Sequence, residues 1–384
     1  MEPRVADPFA DIRPFNDDEV RETVDRILAS RECLTALLRF RLGDRWLPIA
    51  PLLRPLTRWY LRRQAKDLTT VTDFQMRVKG YVEQMIAGTT AGFSVSGLEQ
   101  LDASHAYLFI SNHRDIAMDP AFTNYALHRA KHDTLRIAIG DNLLTEQWVA
   151  DLMRLNKSFI VKRSVSGPRE LLAASKQLAR YIKHSIQEDN VPVWIAQREG
   201  RAKDGNDQTD PAIIKMLSLA RDKRAQDFGE HIDALRIVPV AVSYELDPCD
   251  ATKARELLQL ETTGSYKKTG DEDVSSIGLG ISGSKGRVHV HFGTPLQQGF
   301  ESPEQVAAAI DDQIISGYRL FSTNHWAYNR LYGQIDPPPG LEVGSVSRST
   351  FDARIDAMPA REQRFALANY ANALRNAIAR QEVR

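Results

Sequence analysis

The stretch Ser111-Asn112-His113-Arg114-Asp115-Ile116-Ala117-Met118-Asp119-Pro120 holds residue types that could do chemistry. It follows an apolar run over 106–110 that reads as a buried strand. A histidine at the end of such a strand can serve as a general base. A carboxylate two or six residues on, Asp115 or Asp119, can bond one ring nitrogen and fix the tautomer. The other nitrogen is then left to take a proton. A surface histidine beside a helix-capping aspartate would leave the same pattern.

Further groups recur at ordered intervals, each at the end of an expected strand. Gly140-Asp141-Asn142-Leu143 comes first, then Phe159-Ile160-Val161-Lys162-Arg163, then Gln197-Arg198-Glu199-Gly200-Arg201. In an open α/β sheet the carboxyl ends of the strands share one edge, where ligands bind. His113, Arg163, Glu199 and Arg201 could converge there. Two arginines beside a histidine and a glycine suit an anionic, phosphate-bearing substrate, although singly each arginine could be solvated or paired with a nearby acid.

This order of blocks resembles the glycerolipid acyltransferase family, which includes glycerol-3-phosphate and lysophosphatidate acyltransferases. The resemblance runs over roughly 94–295. The family's first block is a histidine, four residues, then an aspartate. Here Met118 occupies the aspartate position and Asp119 falls one residue late, followed by Pro120. The aspartate role is carried to Asp119, with Asp115 the competing assignment. The second block runs from Gly140-Asp141-Asn142 to Arg163. The third, Glu199-Gly200-Arg201, is one residue shorter than the family's form. The fourth is an apolar strand with Pro239.

The resemblance implies an enzyme that moves a fatty acyl group from a thioester to a hydroxyl. His113 would be the base, with Asp119 as its support. Asn142, Lys162, Arg163, Glu199, Gly200 and Arg201 would bind substrate. Arg163 and Arg201 would hold the acceptor phosphate, and Glu199 would orient Arg201 or an acceptor hydroxyl. The donor would be acyl-CoA or an acyl carrier protein. The acceptor would be glycerol-3-phosphate or a lysophospholipid. No cofactor or metal is required. A non-catalytic or altered-substrate lipid-binding member of the same fold is the alternative.

Elements must hold these groups in place. Apolar runs predict strands over 106–110, 135–139, 158–161, 191–196, 235–242 and 288–292. Helical rhythm is expected over 17–29, 68–87, 167–186, 211–228, 302–316 and 352–380, with Pro359 a break in the last. Residues 262–284, rich in Gly, Ser, Thr, Lys and Asp, read as a loop. The expected fold class is α/β, a mixed and mostly parallel sheet flanked by helices, with helical N- and C-terminal extensions. The expected domains are a helical region over 1–90, an acyltransferase domain over 91–320 and a C-terminal helical extension over 321–384.

Residues 31–66 stand apart. They carry nine Lys or Arg against two acids, interleaved with Leu, Trp and Tyr, and Pro48, Pro51 and Pro55 should break them into short amphipathic pieces. This reads either as a helical cap or as an element for an anionic membrane surface, since basic residues meet anionic headgroups and aromatic rings favour the interface. A lipid-making enzyme needs a bilayer. The expected location is therefore cytoplasmic and peripheral, on the inner face of the membrane.

Composition excludes several other classes. Fifty basic and fifty acidic residues in 384 give zero formal net charge, so a globally basic nucleic-acid binder is not indicated. Cys33 and Cys249 make neither a disulfide framework nor a zinc pattern. The start of the chain does not read as a secretory signal, and no apolar run approaches the roughly 20 residues a spanning helix needs. There is no Gly-x-Ser-x-Gly, and Gly278…Gly283 is followed by Ser284-Lys285, the reverse of a P-loop. His289 and His291 alternate along an expected strand and read as surface or rim residues.

Overall fold

Seven short segments rich in branched and aromatic residues form strands in the computed structural model, which describes residues 7–144, 146–268, 272–297 and 299–383. They are β1 (Thr90–Ser96), β2 (Leu108–Ser111), β3 (Arg136–Gly140), β4 (Ser158–Val161), β5 (Val193–Ala196), β6 (Ile237–Tyr244) and β7 (Gly286–Phe292). The chain divides into two compact units. One comprises Met1–Tyr81 and Arg136–Tyr181, the other Val82–Leu135 and Ile182–Arg384.

In the larger unit the strand order is β1-β7-β6-β2-β5. β2 runs parallel to both β5 and β6, and β1 runs parallel to β7. Among the described residues there, only the β6–β7 pair is antiparallel. β2 and β6 are buried at every position, as strands covered on both faces must be, and their sequences are correspondingly continuous apolar runs. Pro239 lies inside β6 opposite Ile110, and the β7 ladder starts one residue later, at Val240↔Phe292. The fold is thus α/β with a mixed, mostly parallel sheet and flanking helices.

The C-terminal helices belong to this unit. Helices Arg348–Asp356 and Ala360–Val383 are separated at Pro359, as the sequence suggested. They bury Phe351, Ile355, Ala366, Tyr370 and Ala371 in one apolar cluster with Leu246 and Ala327.

In the smaller unit β3 and β4 are parallel. Helix Asp17–Ala29 opens with a capping box between Asn16 and Glu19 and three acids in its first turn, which complement the helix dipole. Its apolar face, Val20, Val24, Ile27 and Leu28, packs with Cys33, Leu68 and Leu155. Arg26 adds a two-pronged ion pair to the buried Asp151, at 2.7 and 3.0 Å.

Several expectations are corrected. Residues 211–228 are not one helix. Helix Pro211–Leu217 ends in a single 3-10 turn, and a separate helix, Phe228–Ala234, starts where Asp227 and Glu230 form a new capping box. Residues 262–284 contain a helix, Glu272–Ser282; residues 269–271 of that span lie outside those described. β1 was not anticipated. Its Thr-Ala-Gly-Phe-Ser-Val-Ser sequence lacks an apolar run because, in this unit, it is an end strand that pairs with β7 alone. Pro48 lies in a 3-10 turn and Pro51 in the first turn of helix Ala50–Gln64, but Pro55 lies inside that helix without ending it.

Candidate active site

β2 ends at Ser111, and the next residue pins the turn that follows. Asn112 is buried. Its amide oxygen accepts from Val242 N–H at 2.8 Å, and its amide nitrogen donates to the Val242 carbonyl and to Asp207, both at 3.1 Å. One side chain thus clamps the carboxyl end of β2 to β6.

His113 comes next. Its Nδ1 lies 2.9 Å from Asp119 Oδ2, and its imidazole is only 14% exposed. The ring meets Trp194 of β5 edge to face at 5.7 Å between centroids. Asp119, in the first turn of helix Met118–Arg129, accepts three further hydrogen bonds. The backbone N–H groups of Arg114 and Asp115 donate to Oδ2 at 2.6 and 2.8 Å, and the Tyr244 hydroxyl donates to Oδ1 at 2.7 Å. Burial, and then the nearby Asp119 and Asp115 carboxylates, push the Tyr244 phenol well above its ordinary range, so it remains a proton donor. A carboxylate held by four donors cannot turn away from the ring. It imposes the tautomer with hydrogen on Nδ1 and leaves Nε2 available to accept.

Asp115 has a different task. Its Oδ1 accepts from the N–H groups of Ala117 and Met118 at 3.0 and 2.9 Å, capping the start of the helix that carries Asp119. It is buried, and Arg114 pairs with Asp207 at 2.7 Å. Burial first, and then the charge of Asp119, raise the Asp115 pKa. Gly280 packs against this carboxylate so tightly that a β-carbon there would lie 2.3 Å from Oδ2.

The Glu199-Gly200-Arg201 turn lies alongside this loop. Gln197 N–H donates to the Ser111 carbonyl and Ala202 N–H to the His113 carbonyl, both at 2.8 Å. Gly200 has φ of +73°, a left-handed conformation that favours glycine. Arg201 Nη2 reaches Ser276 Oγ of helix Glu272–Ser282 at 3.4 Å, while its buried Nη1 has no hydrogen-bond partner among the described residues. Glu199 is exposed. The structure therefore brings His113, Asp119 and the Arg201 turn together.

In the smaller unit, Asn142 and Arg163 meet over Gly140. A β-carbon on that glycine would lie 2.4 Å from Asn142 Oδ1 and 3.1 Å from Arg163 Nε. The Asp141 carboxylate accepts from the N–H groups of Arg163 and Ser164, each at 3.1 Å, and so shapes the turn after β4. Lys162 is engaged by Asp11 and by Gln177.

The sequence did not single out Asn112, Tyr244 or Trp194. The first stood in the motif with no role assigned. Trp194 lies in an apolar run, where a polar tip is hidden among residues read as core, and Tyr244 lies just beyond the run over 235–242. His289, expected at the surface or the rim, is buried, its two ring nitrogens within 2.8 and 2.9 Å of Ser94 and Ser96 of β1.

A histidine paired with a carboxylate just past a strand end of a mixed, mostly parallel sheet is an arrangement that can accept a proton from a hydroxyl. Residues 92–243 match the family model described as Acyltransferase. Among solved structures, the crystal structure of the 1-acyl-sn-glycerophosphate (LPA) acyltransferase PlsC from Thermotoga maritima is similar at 13% identity. The match covers 77% of this chain and 94% of that one, with a TM-score of 0.34. No curated protein matches the chain.

Proposed function

We propose that the chain transfers a fatty acyl group from a thioester, carried by coenzyme A or an acyl carrier protein, to a hydroxyl of glycerol-3-phosphate or a lysophospholipid. The observation that carries this reading is the 2.9 Å contact between His113 Nδ1 and Asp119. His113 Nε2 takes the acceptor's hydroxyl proton as that oxygen attacks the thioester carbonyl. Asp119 steadies the imidazolium that forms. The tetrahedral adduct then expels the thiolate, which recovers the proton from His113. The products are an ester and a free thiol. General base catalysis of this kind supplies about 10²–10⁴-fold, with the remainder due to juxtaposition of the substrates and to hydrogen bonds at the developing oxyanion.

The acceptor's phosphate is assigned to Arg201, whose unpartnered Nη1 supports the reading. For Arg163, which lies beside Asn142, a phosphate-binding role rests on the motif order alone. Lys162 is left out of the phosphate contact because Asp11 and Gln177 already engage it.

The work is assigned to a membrane surface, on its cytoplasmic side. No helix among the described residues is long and apolar enough to cross a membrane. Helix Ala50–Gln64 instead exposes Leu52 (79%), Leu56 (63%), Trp59 (61%) and Tyr60 (54%) at helical spacing, with Arg62 and Arg63 in its last turn. Such a face suits burial in the headgroup region of an anionic leaflet.

The reading is tested by giving the purified chain a long-chain acyl-CoA or acyl carrier protein with glycerol-3-phosphate, lysophosphatidate or a neutral lyso-lipid, and identifying products by mass. An acylated phosphate-bearing acceptor is expected. Acylation of the neutral acceptor alone would remove the phosphate from the proposal.

A further inference from the structure

Arg114, the neighbour of His113, is a buried arginine that the acyl-transfer chemistry does not use. Its guanidinium is held from two sides. Nε and Nη2 donate to Asp207 Oδ2 at 3.2 and 2.7 Å, and Nη2 also to the Gly205 carbonyl at 3.2 Å. Nη1 donates to the backbone carbonyl and the Oδ1 of Asn369, at 3.0 and 3.2 Å, on the C-terminal helix Ala360–Val383. The Tyr318 ring lies 5.4 Å away.

The Arg114 peptide groups are tied as well. Its N–H donates to Asp119, and its carbonyl accepts from the buried Lys253 ammonium at 2.7 Å. Lys253 pairs with Asp247, and Asp247 Oδ2 accepts from Asn369 Nδ2 at 2.8 Å. Asn369 thus reaches Arg114 by two routes, directly through the guanidinium and through Asp247 and Lys253 to the carbonyl. Burying this many charges is costly and rarely a net gain in stability, so the network calls for a reason other than packing. The peptide it immobilises follows His113 and donates to the carboxylate that orients the imidazole.

We infer that Arg114 and Asn369 are positioning residues for the acyl-transfer step, making the C-terminal helix part of the apparatus that aims His113. The inference rests on the assignment of His113 as the base. Displacing a catalytic group by about 1 Å can cost about 10²-fold in rate. Loss of the Asn369 contacts should therefore lower kcat while leaving substrate affinity intact.

The test uses Asn369→Ala, because Arg114→Ala would strand Asp207 in the interior and endanger folding. Phe351→Leu serves as the comparison. It lies in the same C-terminal apolar cluster and removes packing without a polar contact. Asn369→Ala should lower kcat by at least about tenfold, with KM for donor and acceptor within about twofold. The downfield proton resonance of the His113 Nδ1–H, seen with ¹⁵N-histidine labelling, should broaden or vanish. Phe351→Leu should lower Tm yet keep both kcat and the resonance. If the two variants show equal kcat while His113→Ala is inactive, the positioning role is wrong and the base stands. If His113→Ala retains transfer, the base assignment fails and the positioning role with it.

Discussion

Asp119 accepts four hydrogen bonds, two of them from consecutive backbone N–H groups, and an amide cannot reproduce that set. In Asp119→Asn one carboxylate oxygen becomes a donor, facing either the Tyr244 hydroxyl or the two N–H groups. A large fall in kcat is expected, about 10²-fold or more, with KM nearly unchanged, because the tautomer and the imidazolium lose their support. Asp115→Asn keeps an oxygen that can accept from the Ala117 and Met118 N–H groups, so it should change stability little and cost less activity than Asp119→Asn. Steady-state kinetics on both variants check this ranking, and the reverse order would transfer the supporting role to Asp115. His289 offers a separate test, by pH. Burial first, and then the charge of Arg319, hold its pKa down at about 4, against 6.5 when unfolded. Between those values the unfolded chain binds the extra proton, so stability falls as pH drops from about 6.5 to 4 and is regained on raising it. Roughly 2–3 kcal/mol of acid lability should disappear in His289→Gln, measured as the difference in Tm between pH 7 and pH 4.5. An unchanged difference would show that the histidine is not held neutral by its surroundings.

The elements carrying the chemistry were the most legible in the sequence. β2 and β6 are buried on both faces and are apolar over most of their length, so they stand out without any structure. β1 did not, because pairing on one side with partial exposure allows serine, threonine and glycine at most of its positions. The helix Glu272–Ser282 was hidden by composition. Its Gly280 and Ser276 are there for contact with Asp115 and Arg201, not for helix propensity. The placement of Asp119 within reach of His113 could be read only with an assumption about the turn, since backbone geometry at a strand-to-helix junction can absorb one residue. At this scale the Arg201 turn makes its own prediction. Arg201→Ala should raise the acceptor KM at least tenfold and the donor KM little, and Arg201→Lys should recover little of the loss, because an ammonium lacks the guanidinium fork. Equal changes in both KM values would place Arg201 in holding the fold or the donor. Helix Ala50–Gln64 should take the chain to vesicles containing an anionic phospholipid. Binding should weaken with added salt and with Arg54, Arg58 and Arg62 changed together to Gln, as read by co-sedimentation. Indifference of the wild type to such vesicles at low salt would leave the segment a structural cap.

On the scale of the whole molecule, the α/β class was legible because strands and helices alternate along the chain, but the partition was not. The N-terminal helices share a compact unit with β3 and β4, and the C-terminal helices share one with the strand that positions His113. Long-range ion pairs and hydrogen bonds such as Arg26–Asp151 and Arg114–Asn369 hold those arrangements, and no local pattern announces a partner more than a hundred residues away. The central claim is that one histidine, oriented by one carboxylate, activates the acceptor hydroxyl. It is tested most directly by following thiol release from an acyl thioester with glycerol-3-phosphate or lysophosphatidate present, for the wild type and for His113→Ala at matched folded fraction. The account predicts acceptor-dependent release by the wild type, and a fall of at least about 10²-fold in the variant with Tm nearly unchanged. Release within a few-fold of the wild type by His113→Ala would contradict it.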